Sequence, residues 1–211
     1  MFADRSRAGK ALAEKLSGYR GKKDVLILGI PRGGAVVAAQ VSKILRLPLY
    51  VLVVRKISSP GNPELAIGAV GPDGSPHIDE RLARLTNAIP EYVKIESEKQ
   101  FLEVKRRMAE YGVKPINFKN KTAILVDDGI ATGATMLAAI RILRERKVKK
   151  VVLAVPVCSA DSARELGGLA DEFISLETPE FFSAVGQFYS EFRQVTDDEV
   201  RRLLKSGQGA S

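Results

Sequence analysis

The sequence predicts an α/β fold: a doubly wound parallel sheet flanked by helices, with a small cap at its C-terminal end. Three observations predict it. Short continuous apolar runs recur at residues 25–30, 49–54, 123–126 and 151–157, and strands apolar on every residue are buried on both faces, as in parallel sheets. Helical periodicity joins the first run to the second and the third to the fourth, which makes two βαβ units. Polar, glycine-bearing segments follow the runs that end at Ile30, Val54 and Val126. These are the strand ends beyond which open α/β sheets bind ligands.

Taken in order, residues 3–20 read as a helix, with Ala8, Leu12, Ala13 and Leu16 at helical spacing and Gly18 near the end. The first buried strand follows at 25–30. Residues 35–46 then place Val37, Val41, Ile44 and Leu45 on one helical face, and 49–54 form the second strand. Residues 55–80 are an elaborate connection containing Pro60, Pro63, Pro72 and four glycines. Such connections are usually functional or mobile, and Asp73-Gly74 marks a hairpin between 65–70 and 75–78. Residues 90–111 read as a charged amphipathic helix within a helical insertion over 86–118, whose role the sequence does not disclose. A strand at 123–126, a helix over about 134–146 and a strand at 151–157 complete the second unit. The division expected is a core over 1–158, including the N-terminal helix and the 55–80 loop, and a cap over 159–211 rich in aromatics, glycines and acids.

Bulk properties narrow the chemistry. The 211 residues are 45% hydrophobic and 27% charged, enough for one packed domain rather than a disordered chain. No apolar run approaches the roughly 20 residues of a membrane span. The charged N-terminus is followed by no apolar signal region, so a cytoplasmic protein is expected. With Cys158 and His77 each the only residue of its type, internal disulfides, zinc clusters and histidine-dependent triads are excluded. Cys158 is expected to pack and His77 to face solvent. The net charge of +8 fits nucleic acid, a phosphorylated small molecule or a solvated lysine-rich surface and alone decides nothing, although its spread without interleaved aromatics disfavours a nucleic-acid groove.

The segment 124–136 carries the most chemistry: a strand end, two carboxylates (Asp127, Asp128), the tight loop Gly129-Ile130-Ala131-Thr132-Gly133-Ala134-Thr135, and a helix start. Small residues let backbone amides converge, the helix N-terminus adds a favourable dipole, and Thr132 and Thr135 add hydroxyl donors; together they suit a phosphate dianion. Neither a Walker A loop nor G-x-G-x-x-G occurs. Carboxylates repel phosphate, so the acids must serve another part of the ligand, either sugar hydroxyls or a magnesium ion. A diol beside a phosphate describes ribose 5-phosphate.

These thirteen positions resemble the signature of type I phosphoribosyltransferases that binds 5-phosphoribosyl-1-pyrophosphate (PRPP), and look closest to a poorly characterised group sharing V-D-D-G-I-A-T-G-A-T. The resemblance spans roughly residues 24–156. It implies that Asp127 and Asp128 hold the ribose hydroxyls, and that the 130–135 backbone with Thr132 and Thr135 holds the 5′-phosphate. Gly29-Ile30-Pro31-Arg32-Gly33-Gly34 resembles the family's pyrophosphate loop, which implies PRPP contacts from Pro31, Arg32, Gly33 and Gly34 and a cis Pro31–Arg32 peptide. Arg55 and Lys56 stand where the family places cations near pyrophosphate. The resemblance further implies Mg²⁺, held mainly by PRPP and water with Asp127 and Asp128 nearby, and a homodimer. The reaction implied is transfer of the phosphoribosyl group to a nitrogenous base with loss of pyrophosphate. Its catalytic residues would be Arg32, Arg55, Lys56, Asp127 and Asp128. Phe182, and beside it Phe181, loosely match the aromatic that stacks on the base in 6-oxopurine members. Ala131 and Ala170 depart from that subgroup, which has an aspartate at the first position and a lysine at the second, so the base is not legible. A PRPP- or nucleotide-sensing regulator on the same fold, with nucleic acid as a further ligand, is the alternative.

Overall fold

The computed structural model describes residues 1–113 and 116–207; parts of the predicted insertion and cap at 114–115 and 208–211 lie outside the described residues. The N-terminal helix α1 (Arg5–Lys15) starts where the Asp4 carboxylate accepts the Arg7 N–H at 2.7 Å, the side-chain cap that a first helical turn requires. Then come β1 (Val25–Gly29), α2 (Gly33–Leu45) and β2 (Leu49–Val51). The chain next builds β3 (Arg55–Ser59), β4 (Asn62–Val70) and β5 (Pro76–Ile78), followed by α3 (Glu80–Leu85) and α4 (Pro90–Tyr111). The second half gives β6 (Thr122–Val126), α5 (Ala134–Glu145), β7 (Lys150–Val157), α6 (Ala160–Gly167), β8 (Glu172–Glu177) and α7 (Asp197–Gly207).

The main sheet has the order β2-β1-β6-β7-β8, and every pairing in it is parallel. Its strands alternate faces with period two. Val25, Ile27, Ile124, Val126, Val152 and Ala154 join the core that contains Leu12, Val37 and Val41 from α1 and α2, and Leu204 from α7. Leu26, Leu28, Ala123, Leu125, Val151 and Leu153 join the core beneath α5. Apolar residues at every position are thus needed to fill two layers at once, and the doubly wound sheet follows. Leu125 is 0% exposed. Leu125→Ala is expected to lower the unfolding free energy by about 2–5 kcal/mol. Urea titration should show this as a lower midpoint at unchanged slope, and a loss under ~1 kcal/mol would contradict close packing on the α5 face.

Three expectations about strands and boundaries are revised. The run at 49–54 is a strand only as far as Val51. Leu52 N–H still donates to Gly29 C=O at 3.1 Å, but β1 has ended there and offers no further partner. Leu52, Val53 and Val54 are nonetheless buried, so their apolar character marked burial rather than pairing. Residues 55–78 form a second, antiparallel sheet of order β3-β4-β5. Its expected hairpin is present: Gly74 N–H donates to Gly71 C=O at 3.1 Å, with Gly74 at φ +81°, a conformation that favours glycine. Third, the boundary after residue 158 divides the main sheet, because β8 pairs in parallel with β7. β8 is an edge strand, half-buried along its length, so it lacks the continuous apolar run of the central strands. Among the described residues, 178–207 follow the last strand of the sheet.

The predicted α4 bounds coincide with the helix found. His77 is not solvent-facing: its side chain is 13% exposed and its Nδ1 lies 2.9 Å from a Glu145 carboxylate oxygen. Cys158 is buried, and desolvation pushes its thiol up to about 11. Among the described residues no helix is long and apolar enough to cross a membrane.

Candidate functional site

From β1 the chain moves outward to β2, and from the adjacent β6 it moves the other way to β7 and β8. The β1–β6 junction is therefore the topological switch point, where the two connections part and leave a crevice. Both predicted loops leave the sheet there, one after Gly29 and one after Val126. The two strands stay in register at their ends, Gly29 opposite Val126, and Ile30 N–H donates to Val126 C=O at 2.9 Å.

The two loops touch through glycine. A Cβ built on Gly33 would overlap the Asp128 carboxylate and come 3.0 Å from Arg5 Nε. One on Gly34 would lie 2.7 Å from both Cα and Oδ1 of Asp127. Gly33 and Gly34 are thus required for contact with the acid pair; they also form the first turn of α2, two residues earlier than the periodicity indicates. The Pro31–Arg32 peptide is cis, and Arg32 is the N-cap residue of α2.

After the acids, residues Asp127, Gly129, Ile130, Ala131, Thr132, Gly133, Ala134, Thr135 and Met136 line a pocket of about 160 Å³, closed on one side by Val185. Gly133, at φ +72°, caps α5, whose opening N–H groups lack intrahelical acceptors and present a positive dipole end. The loop is braced from below: the hydroxyls of Ser159 and Ser162 both donate to Ala131 C=O, at 2.7 and 2.8 Å. Ile130 differs from its neighbours. Its N–H donates to Val157 C=O at 2.9 Å and its side chain is buried, so the sheet uses this amide and it is not offered to a ligand.

The acids are not equivalent. Asp127 lines the pocket, and its Oδ1 accepts the Asp128 N–H at 2.8 Å. Burial, and then the charge of Asp128, push its carboxyl well above the ordinary range, while the Arg5 charge opposes them. Asp128 instead turns away to accept Arg5 Nε at 2.6 Å, and its carbonyl accepts the Tyr189 hydroxyl at 2.5 Å. Burial, and then the charge of Asp128, push the Tyr189 phenol far above its ordinary value, so it remains a donor. Among the described residues no group of three or more acids, histidines or cysteines could hold a metal by itself. The Asp127 carboxylate in the pocket, with Asp128 next to it in the chain, does fit a magnesium ion carried largely by ligand phosphates and water.

The remaining predicted residues are dispersed. Arg55 turns to α4, where its Nε donates to Gln100 Oε1 at 3.0 Å. Burial, and then the charge of Arg107, hold its guanidinium below its ordinary value. Lys56 is the next residue of β3. Phe181 is 88% exposed, and Phe182 pairs with Phe188, ring centres 5.0 Å apart; the cap residue that meets the loop is Val185, against Gly129. Periodicity did not select Arg5, Ser159, Ser162, Val185 or Tyr189. One signal was present: Arg5 shares the buried face of α1 with Ala8, Gly9, Leu12 and Ala13, where a cation needs a partner. A roomier apolar pocket of about 460 Å³, between β5, α3 and α4, contains none of these loop residues.

A family model described as phosphoribosyl transferase domain matches residues 3–193. The chain belongs to this family. Two Mycobacterium tuberculosis proteins named for phosphoribosyl transfer, from strains CDC 1551 and H37Rv, are each 45% identical to it over 206 residues. That match covers 97% of this phosphoribosyl transferase family member but spans only about half (46%) of each relative. The crystal structure of TT1426 from Thermus thermophilus superposes with a TM-score of 0.87 at 38% identity, covering 98% of both chains. A purine phosphoribosyltransferase from Pyrococcus horikoshii, at 23% identity and a TM-score of 0.50 over 91% of this chain and 92% of its own, shares the fold.

Proposed function

We propose that the chain transfers the phosphoribosyl group of PRPP to a nitrogenous base and releases pyrophosphate. One observation carries this reading: a half-buried carboxylate, Asp127, and the loop of small residues that caps α5 line the same pocket at the switch point. A sugar phosphate satisfies both at once, since the amides and hydroxyls of 131–135 suit the phosphate and the acid suits the ribose hydroxyls. Arg32, at the carboxyl end of β1, supplies positive charge for pyrophosphate, helped by the backbone of Pro31, Gly33 and Gly34. Arg55 would leave Gln100 to join it, with Lys56 beside it.

Catalysis then rests on stabilising negative charge on the departing pyrophosphate rather than on a nucleophilic side chain, consistent with a buried, unreactive Cys158 thiol. Magnesium, held by PRPP oxygens, water and the acid pair, would add Lewis-acid stabilisation to that leaving group. Val185, which lines the pocket, marks the side from which a base would approach, and Phe182 and Phe188, paired with each other, flank it in the sequence. Pyrophosphate release from PRPP and magnesium should be measured across a panel of purines, pyrimidines and other nitrogenous bases. Base-dependent release supports transfer. PRPP binding by calorimetry with no release from any base would replace it with a sensing role, and no PRPP binding would end both.

A further inference from the structure

We propose that Arg5 is a positioning residue for the ribose end of this site: it fixes the Asp128 carboxylate, and with it the second acid, against the Gly33–Gly34 turn. The inference rests on the function proposed above and extends it to the N-terminal helix. Arg5 is 9% exposed and has a partner on each side. Its Nε donates to Asp128 Oδ2 at 2.6 Å and its Nη1 to Arg193 C=O at 2.8 Å. Its guanidinium carbon lies 3.8 Å from the centre of the Phe192 ring and 6.0 Å from that of Tyr189. Those rings stack on one another at 5.2 Å, and Phe2 closes the cluster 5.6 Å from Tyr189. Asp128 is thus held at both ends, its carboxylate by Arg5 and its carbonyl by Tyr189.

Stability alone is a poor account of this arrangement. A buried ion pair repays the cost of desolvating two charges only marginally, and apolar replacements of similar size often fold as well or better. What an apolar residue cannot do is hold two adjacent carboxylates in one orientation. Without a cation, nothing would hold the Asp128 carboxylate in the space above Gly33 that it now fills, and repulsion from Asp127 would turn it out of that place. Arg5 therefore links α1, the acid pair and the 189–193 segment, and it does so through a guanidinium whose planar fork serves two acceptors while its face lies on a ring.

The test is calorimetric titration of ribose 5-phosphate and, separately, of inorganic pyrophosphate. The proteins are wild type, Arg5→Met, Arg5→Lys, Asp128→Asn and the Arg5→Met/Asp128→Asn double variant. Arg5→Met is expected to weaken ribose 5-phosphate roughly ten- to a hundredfold, the loss expected when a charged hydrogen bond is left unmade. Pyrophosphate affinity should stay within about twofold, Arg5→Lys should restore part of the loss, and the double variant should be no weaker than the worse single one. Additive losses, or equal weakening of both probes, would overturn the inference by showing an independent or merely structural role. Wild type that binds ribose 5-phosphate, with Arg5→Met binding it equally, overturns this inference alone. Wild type that does not bind it overturns the functional reading as well. Should Arg5→Met fail to fold, Arg5→Lys with Asp128→Asn forms the same cycle.

Discussion

Asp127→Asn is expected to raise the melting temperature at neutral pH while weakening ribose 5-phosphate binding. Burial and the adjacent Asp128 raise the Asp127 pKa above its ordinary value of 3.8 in the folded chain. The folded state therefore binds this proton more tightly than the unfolded state. Stability contributed by the group falls as pH climbs from the ordinary aspartate range through the raised value, and above it the full cost of an ionised buried acid is present. Asparagine removes the charge, keeps the volume, and can still accept the Asp128 N–H. In a chain of this size each 1 kcal/mol relieved corresponds to roughly 2–4 °C. The gain over wild type should shrink as pH falls toward the range where Asp127 is protonated in both states. Ribose hydroxyls lose a charged acceptor, so affinity should drop by roughly tenfold or more. Calorimetric melts across pH, paired with ribose 5-phosphate titrations, read both effects; a variant that melts no higher and binds as before would refute the assignment.

Gly33→Val should cost both turnover and stability, for a different reason. The space a side chain would need at this position is filled by the Asp128 carboxylate, which Arg5 holds in place while Tyr189 holds the Asp128 carbonyl. Either α2 moves away from the acid pair or Asp128 leaves Arg5. Forcing a branched residue into such a contact costs about 1–3 kcal/mol. A shift near 1 Å at a reacting centre can reduce the rate on the order of a hundredfold. Gly18→Ala is the control, since a Cβ there meets nothing within 4 Å. Urea unfolding and pyrophosphate release should separate the two variants clearly, and equal behaviour would mean that the loops do not need this close approach.

The legibility of the molecule varies with the kind of signal. β1, β6 and β7 lie buried between two helical layers, so each residue is apolar and the runs announce themselves. α4 was legible at both ends because Pro90 and Gly112 mark its start and stop. β8 and β3 were not: an edge strand and a half-exposed hairpin strand carry polar residues such as Glu172, Ser175, Arg55 and Lys56 in positions that resemble loop. Within the site, the 127–135 loop and the Arg-Gly-Gly turn were read from contiguous motifs. Arg55 was expected to face the crevice and instead bonds Gln100, because side-chain direction at a strand end depends on what packs beside it, here α4.

By itself the amino-acid order determined the two βαβ units, the phosphate-suited loop at 129–135 and the acids preceding it, since each is a local pattern of burial, size and charge within a few residues. Only the tertiary structure decided which acid opens to the pocket and which is bound by Arg5, 123 residues away, and why Gly33 must lack a side chain. Such choices are made by atoms brought together through folding. Periodicity reports how a residue meets its own helix or strand, and carries no record of the distant partner it will touch.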